Sequence, residues 1–476
     1  MIDGDFGLLS PVSASPSVAA LTGDRVLIAA ILDVEAAWAV VLEEAGLVPA
    51  GSAAVVAEAA DPGSYDAASV AERAQGGGNP VIPLLGDLRA RVKSLDAGAA
   101  SAVHTSLTSQ DVLDSALMLL ASRAVSALLV DVKRTTTALA TLAGEHADTL
   151  CVGRSLTQHA LPYTFGLKAA QWFQGVAAAA ARLSAVELPV QFGGAGGTLA
   201  SATKLTASSQ TTPFELADSL ASKLGLATAP APWHTNRLAI TSLGDGLAAL
   251  IDSFGKIAAD LLFLSRPEVA ELGEPLAAGR GVSSAMPQKQ NPVLSVLVRS
   301  AALQAPGLAS QLHLAAATFN DERPDGAWHS EWPALRQLLA LALGSAGHVS
   351  ELTAGLRVFP EAMRRNLEIS GPLLLSEGVM AAVAPLLGPD GKQKLQNVVD
   401  ETLRAPAAEQ TRIYTKLLRE AVPADKLSAA ELEALLDPAS YLGEAAEIAR
   451  RIFAAYPGFT GSAASDSPTT KGATRG

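Results

Sequence analysis

An all-α fold is predicted by three features of this sequence. Hydrophobic residues make up 49% of the chain but aromatics only 4%, so the apolar content is largely alanine and leucine, which favour helix over strand. Apolar residues recur at helical spacing through several long stretches. Polar loops carrying glycine and proline separate those stretches.

In chain order, the text up to Pro80 reads as short helices divided by glycine and proline, with residues 33–45 the clearest amphipathic piece. Residues 115–148 place Leu117, Leu120, Val125, Leu128, Val132, Leu139 and Leu142 on a helical period with no proline. At 1.5 Å per residue that helix would be roughly 50 Å long. Comparable helices are expected at 164–188, 237–266, 293–318 and 334–356, with Pro306 kinking the fourth of the five. Thr212-Pro213-Phe214-Glu215 has the N-cap, first-turn proline and third-position acid of a capping box, opening a helix toward Gly225. The expected organisation is an N-terminal helical domain (1–110), an elongated central bundle of long helices (111–358) and a C-terminal helical domain (359–460). A Ser-, Thr-, Ala- and Gly-rich tail at 461–476 reads as disordered. One chain cannot cover helices this apolar, and the small residues at 177–181 suit close packing, so an oligomer is expected.

Composition narrows the function classes. The net charge is −12 with no basic block, which argues against nucleic acid or an anionic membrane as partner. A lone cysteine, Cys151, allows no intrachain disulfide, and its expected role is a buried small residue in a cytoplasmic protein. The opening residues lack the basic start and apolar core of a signal peptide, and no uninterrupted apolar run is expected to span a bilayer. The histidines show no metal-ligand spacing, so no metal is expected.

Four polar segments carry the chemistry. The loop 280–292, Arg-Gly-Val-Ser-Ser-Ala-Met-Pro-Gln-Lys-Gln-Asn-Pro, sets Ser283, Ser284 and Lys289 between two apolar helices. Asn291 and Pro292 read as N-cap and first helical position, so a positive helix end is expected to face an anion. His104 to Asp111 precedes the first long helix, where Thr108 or Ser109 would serve as a cap. Arg154, Gln158 and His159 lie together in a further segment. The fourth, 322–332, combines Arg323, Trp328, His329, Glu331 and Trp332, a poor core and a plausible pocket wall. The glycines at 193, 194, 196 and 197 lack a preceding strand and a following Gly-Lys-Ser/Thr, so a nucleotide loop is not expected.

Residues 281–292 resemble the signature of the fumarase/aspartase superfamily, Gly-Ser-Ser-x-Met-Pro-x-Lys-x-Asn-Pro. Thr108-Ser109-Gln110-Asp111 resembles its first region, Thr-Ser-x-Asp, with Ser106 where relatives often have glycine, and 191–198 resembles its Gly-Gly-Ala-x-Gly-Thr turn. Gln158-His159-Ala160 and the Glu-Arg-x-x-Gly-x-Trp-His-x-Glu-Trp run from Glu322 look like the carboxymuconate cycloisomerase branch. The likeness extends from about residue 8 to 360 and fades beyond. It implies lactonisation of 3-carboxy-cis,cis-muconate in protocatechuate breakdown, without a cofactor, by a homotetramer that builds each site from three subunits. Ser283, His159 and Lys289 would be catalytic. His104, Thr108, Ser109, Arg154, Gln158, Arg237, Ser284, Asn291 and Arg323 would bind the small tricarboxylate. Val282 replaces the signature's preceding glycine, which is expected to alter the loop's closed conformation. An adenylosuccinate- or argininosuccinate-type lyase is the nearest alternative. A non-catalytic helical protein, as some eye-lens crystallins of this superfamily are, is another, and Ser283, Lys289 and His159 speak against it.

Overall fold

The computed structural model describes residues 6–461. Apart from Gly461, the expected tail lies outside them. The helices that carry or support the polar segments, numbered here in chain order, are α1 (Asp24–Glu44), α2 (Ser109–Glu145), α3 (Phe165–Ser184), α4 (Pro213–Leu224), α5 (Leu238–Leu264), α6 (Val293–Ala317), α7 (Gly326–Ala354) and α8 (Pro360–Ser370). The strands among the described residues are two short antiparallel pairs, β1 (Leu150–Ser155) with β2 (Gln158–Thr164) and β3 (Leu272–Gly273) with β4 (Arg357–Val358).

The expected long helices are present with adjusted ends. Thr212 Oγ1 accepts from Glu215 N at 3.3 Å while the Glu215 carboxylate accepts from Thr212 N at 2.7 Å, so the capping box that starts α4 is closed. Gly225 ends α4 with φ +65°, a conformation glycine adopts without cost. Pro306 lies inside α6, which continues through it. α7 begins at Gly326, eight residues ahead of the expected start, so Trp328, His329 and Trp332 stand on its opening turns and Pro333 inside it. The β1–β2 hairpin was not expected, because neither strand alternates cleanly and the pairing shifts between Gly153 and Arg154.

The chain folds into two compact units. The first comprises residues up to Val132, Ala179–Gly255 and Leu297–His348; the second comprises Lys133–Ala178, Lys256–Val296 and the chain from Val349 onward. In the first, Trp38, Val41 and Leu42 of α1 pack with Val190, Phe192, Leu216 and Leu220. A Cβ on Gly255 of α5 would sit 2.5 Å from that of Ala302 in α6, so the two helices meet where no larger side chain fits. In the second unit, Leu375, Val379, Leu395, Tyr414 and Leu418 form a core near the C-terminus, and Val152 of β1 packs with Leu367 of α8.

The expectation about membrane-spanning segments needs correction. By length and composition alone, Ser109–Glu145, Val293–Ala317 and Pro360–Leu387 are apolar enough to cross a bilayer. In the first of these, 61% of the most apolar window is buried inside the protein, so its hydrophobicity is that of a core helix.

Candidate active site

In the first unit the polar residues are organised around Asp111, in the first turn of α2. Its carboxylate accepts Gly193 N at 2.9 Å and His234 Nε2 at 2.8 Å on one oxygen, and Gly194 N at 2.9 Å and Thr108 N at 3.0 Å on the other. Burial pushes this carboxyl up from its ordinary value, opposed by His234 and the amide donors. The glycine turn therefore binds a carboxylate of the protein itself, consistent with its not being a nucleotide loop. A Cβ at Gly193 would lie 2.7 Å from His234 Cε1, and Gly194 has φ +71°, so both positions require glycine.

Just upstream, His104 and Ser106 adopt left-handed φ values of 63° and 66°. Ser106 thus keeps the conformation that suits the glycine common in relatives. His104 Nδ1 lies 2.7 Å from Glu35 Oε1, and Trp38 Nε1 donates to Thr105 O at 2.8 Å, so α1 fixes this strained turn from two positions. Thr108 Oγ1 accepts a hydrogen bond from Arg323 Nη1 at 2.8 Å, uniting two of the expected binding residues. Ser109 is the first residue of α2.

Arg237 is placed differently from the expectation of a substrate clamp. It bridges Asp114 and Glu331, with contacts of 2.7 Å to each, and its side chain has no exposed surface. Trp233 and Phe319 lie over its guanidinium at 4.8 and 5.1 Å. Trp328 Nε1 also donates to Asp114, at 2.9 Å. Trp328 and Glu331 therefore face a buried charge network, whereas the sequence suggested a pocket wall.

In the second unit, the β1–β2 hairpin turns on Leu156 and Thr157, at φ 49° and 70°. It sets Arg154 opposite His159 in the ladder. Arg154 grips Glu271 through two nitrogens, at 2.5 and 3.2 Å, and Asn366 Nδ2 donates to the same carboxylate at 2.7 Å. His159 Nδ1 shares a 3.0 Å hydrogen bond with Ser370 Oγ. Burial, then the Arg154 charge, holds the His159 imidazole below its ordinary value. Gln158 is exposed and donates to Thr157 Oγ1, at 3.3 Å. Burial pushes the Cys151 thiol up to about 12, which fits an inert core residue.

The signature loop hangs from a closed neck in the same unit. Gly281 O accepts from both Asn291 N at 2.9 Å and Asn291 Nδ2 at 3.1 Å, and Val282 bridges Gln290. Gly281 has φ +66°, and a Cβ there would lie 2.4 Å from Asn291 O. Val282 has no left-handed φ, so a β-branched side chain fits this extended position without strain. Ser283 Oγ accepts from Met286 N at 3.1 Å and Ala285 N at 3.3 Å. Ser284 and Lys289 are exposed, and Lys289 makes no ion pair among the described residues.

The positive end of α6 is not open to a ligand as expected. Glu274 accepts from Leu294 N at 3.2 Å, Ser295 N at 2.7 Å and Ser295 Oγ at 2.7 Å, so a buried side chain caps that helix. Glu271 and Glu274 were missed in the sequence, although two acids three residues apart between apolar neighbours signal buried partners. Glu35, Asp114, Asn366 and Ser370 were missed because their partners are remote in sequence.

A fold of long helices carrying a Thr-Ser-x-Asp cap, a histidine hairpin and this loop defines a lyase of the fumarase/aspartase type. The comparisons with known proteins agree: a family described as lyase matches residues 17–307, and the chain belongs to that family, within the fumarase/aspartase superfamily of enzymes. It is 42% identical over 445 residues to nitrosuccinate lyase of Streptomyces davaonensis, covering 93% of each chain. It is 37% identical over 439 residues to 3-carboxy-cis,cis-muconate cycloisomerase of Bradyrhizobium diazoefficiens, covering 92% of this chain and 95% of that one. Among solved structures, the 3-carboxy-cis,cis-muconate lactonizing enzyme of Pseudomonas putida superposes with a TM-score of 0.85 at 32% identity, covering 95% of this chain and all of the other.

Proposed function

We propose that this lyase is a 3-carboxy-cis,cis-muconate cycloisomerase, with Ser283 as the proton-transferring group. The observation that carries this reading is the setting of Ser283 Oγ, which accepts two backbone N–H groups at 3.1 and 3.3 Å. Donors aimed at a hydroxyl oxygen stabilise it when it bears negative charge, which a serine must do after giving up its proton. In the lactonising direction one substrate carboxylate oxygen bonds to an alkene carbon, and the neighbouring carbon takes the proton from Ser283. Charge passes through an adjacent carboxyl group as an aci-carboxylate, and the exposed Lys289 ammonium is suited to it, with Ser284 and Asn291 on the same loop. Arg323, with Thr108, is the first choice for gripping a second carboxylate, and His104 and Ser109 flank that pair. His159 would orient the attacking carboxylate or supply a proton, with Arg154 and Gln158 beside it. Arg237 belongs to the scaffold in this reading, because its charge is already balanced.

A second reading has a specific support, the 42% identity to nitrosuccinate lyase. Elimination of nitrite from nitrosuccinate would use the same elements: a base for the proton on the carbon next to the one that bears the nitro group, donors for the charge that passes into the adjacent carboxylate, and an anionic leaving group as the double bond forms. The two readings separate in one assay, with ultraviolet absorbance following 3-carboxymuconate and a colour reaction following nitrite. The expected result is turnover of 3-carboxymuconate, abolished at least a hundredfold by Ser283→Ala. Nitrite release with no loss of 3-carboxymuconate would replace the first reading by the second. We further place the active form as a homotetramer, supported by Val296, Leu303 and Leu314 of α6, which are 49%, 74% and 61% exposed in the single chain. Light scattering of the assayed enzyme should give four chains, and a monomer at micromolar concentration would remove this part.

A further inference from the structure

Helix α8 reaches the histidine hairpin with two side chains one turn apart. Asn366 and Ser370 are spaced i, i+4, so they project from one side of the helix. Asn366 Nδ2 donates to Glu271 Oε1 at 2.7 Å and to Val269 O at 2.8 Å, and Glu271 in turn holds Arg154. Ser370 Oγ lies 3.0 Å from His159 Nδ1. Because Arg154 and His159 are partners across the ladder, a single helix fixes both members of the pair.

Ser370 is itself held by packing. Leu367, between the two polar residues, is buried in a cluster with Val152 and Leu374. Gly371 ends the helix at φ +50°, and a Cβ there would meet Thr411 Oγ1 at 2.6 Å. The serine hydroxyl thus cannot drift away from the imidazole without moving a core element.

We infer that Ser370 is a positioning residue for His159: its hydroxyl donates to Nδ1, which keeps the single proton of the neutral ring on Nε2. This rests on the reading of His159 as a residue of the reaction. A carboxylate in this place would favour the imidazolium, whereas a hydroxyl fixes the ring and its tautomer without adding charge. Burial and the Arg154 charge already favour the neutral ring. Nε2, which has no hydrogen-bond partner among the described residues, is then a donor, able to bind a substrate carboxylate or deliver a proton. Ser370 lies outside the motifs that the sequence offered.

Nitrogen-15 NMR of the full-length enzyme labelled at histidine tests this directly, since protonated and bare ring nitrogens resonate well apart. The His159 signals are identified by their loss in His159→Asn. The wild type should show the Nε2–H tautomer. Ser370→Ala should shift both ring signals and lower kcat about tenfold with KM little changed, and Ser370→Thr should restore both. An Nδ1–H tautomer in the wild type, or unchanged signals in Ser370→Ala, would overturn the inference. So would shifted signals with normal kcat, given an inactive His159→Asn. A fully active His159→Asn would instead remove the histidine from the reaction, and with it this role of Ser370, while the spectra would still report whether the contact exists.

Discussion

The buried network of the first unit and the signature loop of the second treat charge in opposite ways. In the first, Asp111, Asp114, Glu331, Arg237 and His234 are all buried, and each finds its partner among the others or in backbone amides. In the second, the loop exposes Ser284 and Lys289 with no ion pair among the described residues, and Ser283 accepts from amides of its own loop. A buried charge must be answered from within the protein, so the first network reports on folding. A lone exposed ammonium on a pinned loop can be answered by a ligand. Arginine in a polar motif is thus an ambiguous sign: Arg237 and Arg323 both looked like clamps, and only Arg323 is left without a carboxylate partner among the described residues.

Arg237→Met gives the largest expected effect and breaks the comparison most directly. It leaves Asp114 and Glu331 buried together without their cation, a change that costs about 3–5 kcal/mol. Chemical denaturation should register that loss. A loss below about 1 kcal/mol would mean the network behaves like a surface pair, and Arg237 would return to the list of substrate ligands.

Gly281→Ala sharpens the other side of the contrast. A methyl group there would sit 2.4 Å from Asn291 O, on a backbone at φ +66°. Left-handed strain in a non-glycine residue costs about 1–3 kcal/mol, and here it falls on the neck of a loop outside the hydrophobic cores. If the loop geometry is needed in the transition state, turnover falls by between about 5-fold and 150-fold. The loop can relieve that strain by opening its neck, so the unfolding midpoint should move less than turnover does. Normal turnover from a markedly less stable protein would mean that the neck serves folding.

How much of this was legible in the sequence follows the same line. The long helices were readable because leucine and alanine repeat at a helical period, and the capping box at Thr212 because its elements are contiguous. The loop was readable from its own residues, and Thr108 and Arg323 from motifs. What stayed hidden was relational. Nothing near Glu274 in the sequence says that it caps a helix twenty residues later, and nothing near Ser370 points to His159. The hairpin was obscured because its pairing slips at Gly153, so its strands lack the period that announces a sheet. The start of α7 was misjudged because Trp328, Trp332 and Pro333 look unlike a helix until Asp114 is seen to receive the Trp328 indole.

The smallest expected effect concerns pH. Burial and the nearby Arg154 charge keep the His159 imidazole neutral below its ordinary value of 6.5, so the acid limb of kcat/KM should lie below that value. The linked stability has a definite sign: the unfolded chain takes up the proton first as pH falls, so this histidine's contribution is intact above 6.5 and is lost as pH drops from there toward the folded value. Arg154→Met removes a positive neighbour and leaves Glu271, which favours the imidazolium, without its partner. Both changes act in the same direction, so the acid limb should move upward. A limb that stays fixed or moves down in the variant would show that another group titrates there, and that the Arg154 and His159 pairing across the ladder belongs, like the network around Arg237, to the scaffold.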